Sequence, residues 1–155
     1  MRTFKDNAGR TWSVQINVDA LKRVKSLLGV NLLEVIEGKL VERLAGDPVF
    51  LCDVLFAAVK PEADAQKVSD EDFGRAMGGD ALDGATAAFL GELVDFFPQG
   101  RRKVLRKAMD KYGAFEAKAL EVAEKRLSSP ELDAKFESAL AELGTLSGGL
   151  PGSSE

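Results

Sequence analysis

Residues 68–98 constrain this chain more than any other stretch. Ser69 stands where a helix N-cap is needed, its hydroxyl able to accept from amides that lack partners in a first turn. Asp70, Glu71 and Asp72 follow at the positive end of the helix dipole, and Asp72 lies three residues past the cap, a loose capping box. These signals predict a short helix over 70–77, stopped by Gly78-Gly79, and a second helix capped by Asp80. In that second helix Leu82, Ala85, Phe89, Leu93 and Phe96 recur at helical spacing, and Leu90, Val94 and Phe97 add a second apolar row. Little of its surface is left for water, so the rest of the chain or a partner has to cover it.

Upstream, Trp12, Val14 and Ile16 alternate with polar residues at the period of a half-buried strand. Asp6-Asn7-Ala8-Gly9 is good turn chemistry, which predicts a β-hairpin with Phe4 across from Trp12, the tryptophan anchoring it on helices. Helical patterns follow at 18–28, with Asn17 as cap and Gly29 as stop, at 39–44, and from Asp47-Pro48 onward. Residues 30–37 fit neither period, and 61–67 read as a polar connector after Lys60-Pro61. Past Pro98-Gln99-Gly100 an amphipathic helix begins, which Gly113 can kink or split, and Ser129-Pro130 caps a last helix with Leu132, Phe136, Leu140 and Leu143 on one stripe. The expected fold is mainly α, a multi-helix domain with an N-terminal β-hairpin and a C-terminal helical hairpin. The expected division is a body at 1–112, a helical extension at 113–143 and a Gly/Ser/Pro-rich flexible tail at 144–155.

Composition removes several function classes. The 155 residues contain no histidine, so the commonest general base and the commonest transition-metal ligand are missing. One cysteine, Cys52, makes neither an internal disulfide nor a cysteine/histidine zinc site, and it fits a reducing cytoplasm. A net charge of −4 argues against general nucleic-acid or anionic-membrane binding. Nothing resembles a signal peptide, and the most apolar run, 49–59, is shorter than the ~20 residues of a bilayer span.

The acids at 70–72, 80 and 83 lack calcium-loop spacing and read as helix caps. Gly78-Gly79 lacks the lysine of a phosphate loop, and Ser69 has no histidine to activate it. No catalytic, cofactor-binding or metal-ligating residue is assigned, and the chain is expected not to be an enzyme. The basic segment holding Arg101, Arg102, Lys103, Arg106, Lys107 and Lys111 has two readings: a docking face for an acidic partner or phosphate backbone, or a solvated helix face, which the spacing favours. The last two helices are rich in Ala, Leu and Phe with little core left to cover them. Phe115, Leu120, Leu132, Phe136 and Leu140 are therefore candidates for partner binding or self-association.

Val68-Ser69-Asp70-Glu71-Asp72-Phe73, then Gly79-Asp80-Ala81-Leu82 and Glu92-Leu93-Val94-Asp95-Phe96-Phe97-Pro98, with Phe4, Gly9-Arg10-Thr11-Trp12 and Asp47-Pro48, resemble a group of bacteriophage and prophage tail assembly chaperones. The resemblance covers about residues 4–111. It implies a non-enzymatic factor in the bacterial host cytoplasm that binds the long helical tape measure protein and, in some systems, recruits tail tube subunits. Many members also have a longer form made by frameshifting, and the Gly/Ser/Pro-rich end would suit such a junction. A generic bacterial helical adaptor is the alternative, and a DNA-binding regulator using the basic segment is a weaker one.

Overall fold

In a computed structural model, which describes residues 1–37 and 39–148, most of the polypeptide is helical. Strands β1 (Arg2–Lys5) and β2 (Thr11–Val14) pair antiparallel with Phe4 opposite Trp12, as the alternation predicts. Helices α1 (Val18–Leu28), α2 (Lys39–Gly46), α3 (Pro48–Ala58), α4 (Lys60–Gln66), α5 (Asp70–Arg75), α6 (Asp80–Phe96), α7 (Gln99–Leu127) and α8 (Pro130–Gly148) follow. The chain divides into two units, Met1–Asp110 and Lys111–Glu155.

Side-chain caps explain three of the helix starts. The Asn17 side chain accepts from the Ala20 amide, Asp47 from Val49 and Phe50, and Ser69 from Asp72. Gly29 ends α1 in the left-handed region, where a residue without Cβ is unstrained. The ambiguous residues 30–37 contain a 3₁₀ turn, Leu32–Glu37, which buries Leu32 and Val35. Their spacing of three is the period at which a 3₁₀ helix aligns side chains, which is why neither the α nor the strand template fits.

Five boundaries differ from expectation: α5 ends at Arg75, short of the expected 77, α2 runs on to Gly46, past the expected 44, and three more follow. The supposed connector after Lys60-Pro61 is α4: Pro61 lies in the first turn, where its missing N–H is no loss, so it starts a helix rather than ending one. Asp80 is not the cap of α6 but its first residue; Gly79 takes the cap position at φ 55° and offers no side-chain acceptor. Helix α8 continues to Gly148, past the Gly144 at which composition marks the tail, because extending a formed helix costs far less than starting one. The rest of the expected flexible tail, 149–155, lies outside the described residues. Gly113 sits within α7 without interrupting it.

The core belongs to the first unit. Helix α3 packs against α1, α2, α5 and α6, and β1 lies along α6. Ala85, Phe89, Leu90, Leu93, Val94 and Phe97 are buried, so the apolar helix of the sequence is covered by its own chain. Trp12 meets Phe73 edge-on at 5.2 Å between ring centroids, and Phe56 tilts against Phe73 at 5.5 Å. Gly91 leaves room for Arg2: a Cβ there would come within 2.7 Å of the guanidinium, which reaches on to Asp95 at 2.8 Å.

The hairpin turn is held by one buried carboxylate. Asp6 accepts from the amides of Ala8 and Arg10 at 2.9 Å, from Trp12 Nε1 at 2.9 Å and from Arg10 Nη1 at 3.2 Å. Burial pushes the Asp6 carboxyl upward, but the donors from Trp12, Arg10 and Ala8 outweigh it and hold the group below its ordinary 3.8. The Asn7 amide and side chain donate to the carbonyls of Ala76 at 2.8 Å and Gly78 at 3.2 Å, which ties the turn to the link between α5 and α6.

Replacing Asp6 with Ala strands the Trp12 N–H and two amides, with an expected loss on the order of 3 kcal/mol in denaturant unfolding followed by Trp12 emission. Because the folded value is depressed, this contribution is whole above the unfolded value and fades as pH falls through the folded one. The gap between wild type and Asp6→Asn should therefore narrow below about pH 4. A gap constant from pH 7 to pH 2 would remove Asp6 as the titrating group.

Candidate functional site

Chemistry in the body is sparse. Cys52 is half-buried; burial first, then Asp53 and Asp70, push its thiol upward, which disfavours the thiolate a nucleophile needs. Among the described residues no cluster of three or more His, Cys, Asp and Glu is arranged to hold a metal ion, and no buried side-chain nitrogen or oxygen lacks a partner.

The basic segment at the start of α7 separates into two kinds of residue. Arg102 turns inward: its Nη2 donates to the Asp95 carbonyl at 3.1 Å and its Nε to the Phe97 carbonyl at 3.3 Å. It thereby satisfies carbonyls at the C-terminal end of α6, where a cation also suits the helix dipole. Arg106 pairs with Asp95 at 3.0 Å, and Arg2 reaches the same carboxylate from β1. The Arg2 and Arg106 hydrogen bonds hold the Asp95 carboxyl below the usual aspartate range. Arg101 and Lys103 are exposed and make no ion pair among the described residues, as do Lys107 and Lys111. Of the sequence candidates, Arg101 and Lys103 are thus open to a partner and Arg102 is committed to the fold.

The second unit has a different character. Among its described side chains, Lys111 to Thr145, none is buried, and only Tyr112, Ser129 and Leu132 are partly covered. Phe115 is 72% exposed, Leu120 65%, Phe136 59% and Leu140 66%. Val122, Leu127 and Leu143 are exposed as well, so the apolar surface is wider than the five candidates chosen from the sequence. Leu132 lines a cleft of about 710 Å³ between α7 and α8, with Ala119, Val122, Ala123 and Leu127 on the opposite wall.

Spacing gives this surface a direction. Along α7, Leu105, Ala108, Tyr112, Phe115, Ala119 and Val122 alternate steps of three and four; along α8, Leu132, Phe136, Ala139 and Leu143 do the same. That is the 3.5-residue period of helices that pack along one another in a coiled coil. Leu105 is the buried end of the α7 row, while Phe115 and Val122 are exposed. The row was missed at the sequence level because its alanines do not stand out from a generic amphipathic pattern.

Exposed apolar side chains scattered singly need no explanation, but two consecutive helical segments, 111–127 and 130–145, with matched rows and no buried side chain do. Such a unit has almost no hydrophobic burial to set against the entropy of ordering, so its stability has to come from what it packs against. Among the described residues no helix is long and apolar enough to cross a membrane. No protein-family model, curated protein or solved structure matches the chain.

The division within the basic segment has a direct test. Arg102→Glu should destabilise the body by roughly 1–2 kcal/mol, because it removes the donors to two α6 carbonyls and adds a negative charge there. Arg101→Glu with Lys103→Glu should stay within about 0.5 kcal/mol of wild type. Equal losses in the two variants, measured by urea unfolding, would contradict the assignment.

Proposed function

We propose that this chain is a non-enzymatic phage tail assembly chaperone, acting in the host cytoplasm, that binds the tape measure protein, with tail tube subunits as further clients. The observation that carries the reading is the uncovered apolar surface of α7 and α8, centred on Phe115, Leu120, Phe136 and Leu140. The resemblance of residues 4–111 to that chaperone group supplies the client class.

The physical logic is that of helix-in-groove recognition. A tape measure protein is long and mostly helical, and its apolar stripe would drive aggregation if it met water before the tail is built. A helix lays such a stripe against an apolar surface through anchors about one turn apart, as Leu132, Phe136 and Leu140 are along α8. The open cleft lined by Ala119 and Ala123 admits close approach, since small residues let helix backbones come together. The energy comes from burying apolar area, about 25 cal/mol per Å² before the costs of association.

The test is co-expression with the product of a neighbouring very long, coiled-coil-rich reading frame. The wild-type chain should co-purify with that product and keep it soluble. Phe115→Asp, Leu120→Asp, Phe136→Asp and Leu140→Asp together should abolish co-purification while the Trp12 emission of the body stays native. Equal capture by the fourfold variant would sink the proposal, as would a wild-type chain that leaves the long protein insoluble and unbound.

A further inference from the structure

We propose that the first unit docks on a second copy of this chain, an acid-rimmed apolar groove beside α3 in one copy receiving the basic start of α7 from another. The groove, of about 270 Å³, lies between α3, α5 and the first turn of α6. Cys52, Met77 and Leu82 run along it, with the exposed Val49 at its rim. Asp53 and Asp70 flank it, close enough that both act on the Cys52 thiol. Neither carboxylate makes a hydrogen bond or ion pair among the described residues, and no lysine or arginine lines the groove. Its wall is bare at Gly74, where a Cβ would meet nothing within 4 Å and the backbone is not left-handed. A glycine weakens the helix that holds it, and neither conformation nor a neighbour in this chain calls for one at 74.

Charge and shape select the occupant. Among the exposed large apolar side chains described, Val104 alone has a cation one turn away on either side, Arg101 and Lys107, and no acid within four positions. Phe115, between Lys111 and Lys118, adjoins Glu116; Val122, between Lys118 and Lys125, adjoins Glu121; Val18 on α1 adjoins Asp19. The nearest acid to Val104 along α7 is Asp110, beyond Lys107. Arg101, Lys103 and Lys107 are exposed and make no ion pair among the described residues. Gly100, Val104 and Ala108 follow one another at intervals of four, a seam of small residues that lets a helix backbone come close. The helix thus offers an apolar seam between cations where the groove offers an apolar floor between carboxylates. Opposite charges beside an apolar contact fix its register and penalise wrong partners.

Within one copy the two features do not meet. Leu82, in the groove, is near the start of α6, whereas Arg102 and Arg106 bond to Asp95 near its other end. From 82 to 95 at 1.5 Å per residue is about 20 Å. Val104 is 62% exposed, and the groove is open. Each copy therefore has one groove and one basic face to offer to others. So small a contact gives a weak constant, on the order of 10–100 µM. The docking does not rest on the chaperone reading, which uses the apolar surface of the second unit.

The reference for the test is the full chain carrying Phe115→Asp, Leu120→Asp, Phe136→Asp and Leu140→Asp, in which association through the second unit is removed. In sedimentation equilibrium over about 5–500 µM its mass should rise with concentration above the 16.6 kDa of one chain. The constant should weaken at least about threefold between roughly 0.05 and 0.5 M salt, because the charges involved are exposed. Added to the reference, Gly74→Trp fills the groove, and Arg101→Glu with Lys107→Glu reverses the basic face. Each should weaken association at least about tenfold. An equimolar mixture should restore one-to-one pairs, since the open groove of the second variant takes the intact α7 of the first. If circular dichroism shows that Gly74→Trp has lost helix, Asp53→Asn with Asp70→Asn replaces it, with the same loss and the same rescue expected. A reference chain that is monomeric at the highest concentration overturns the proposal. So do variants that associate as tightly as the reference, a mixture that remains monomeric, or an association indifferent to salt. A monomeric reference that binds a fluorescein-labelled synthetic Leu/Lys helix, and loses it with Gly74→Trp, would give the groove to a foreign basic helix and overturn the second copy as its occupant.

Discussion

Helix α6 has almost no face to give to water, and the body is arranged around that constraint. Phe89 and Leu93 lie at the centre, with β1 along one side and α3 along another. Fully burying side chains of this size stabilises by roughly 2–3 kcal/mol each, so a helix with two such rows gains far more from being enclosed than from its own backbone hydrogen bonds. Phe97 and then Leu105 continue the same core across the Pro98 break.

The same constraint throws the second unit into relief. Its helices are as long as α6 or longer, but they enclose nothing of their own. Two solutions to one physical problem therefore lie side by side in one chain: apolar helix covered from within, and apolar helix waiting for cover from without.

What could be read in advance was what is local. Asn17, Gly29, Asp47 and Ser69 act on residues within one turn, so their roles follow from spacing alone. The hairpin register followed from alternation and turn chemistry. Misreadings came where one residue type has two opposite uses. Pro61 starts a helix although Lys60-Pro61 reads as an end, and Arg102, one of a run of cations, also serves carbonyls of α6. Asp95 joins Arg2 and Arg106, and a contact spanning that much sequence leaves no periodic trace. For the candidate site, the surplus of apolar residues was legible as a sum, because the first unit's core was already full. Which residues would remain uncovered was less so: Val122, Leu127 and Leu143 look like ordinary interior positions until the packing is known.

Gly91 has a consequence for how this body tolerates change. The guanidinium of Arg2 occupies the volume that any larger residue at 91 would claim. A methyl group at 91 would displace that guanidinium, and because it is the far end of a flexible, partly exposed side chain, the cost falls on its reach to Asp95 and not on the core. Change at 91 is therefore felt in the charges around Asp95, where Arg106 remains as the second cation.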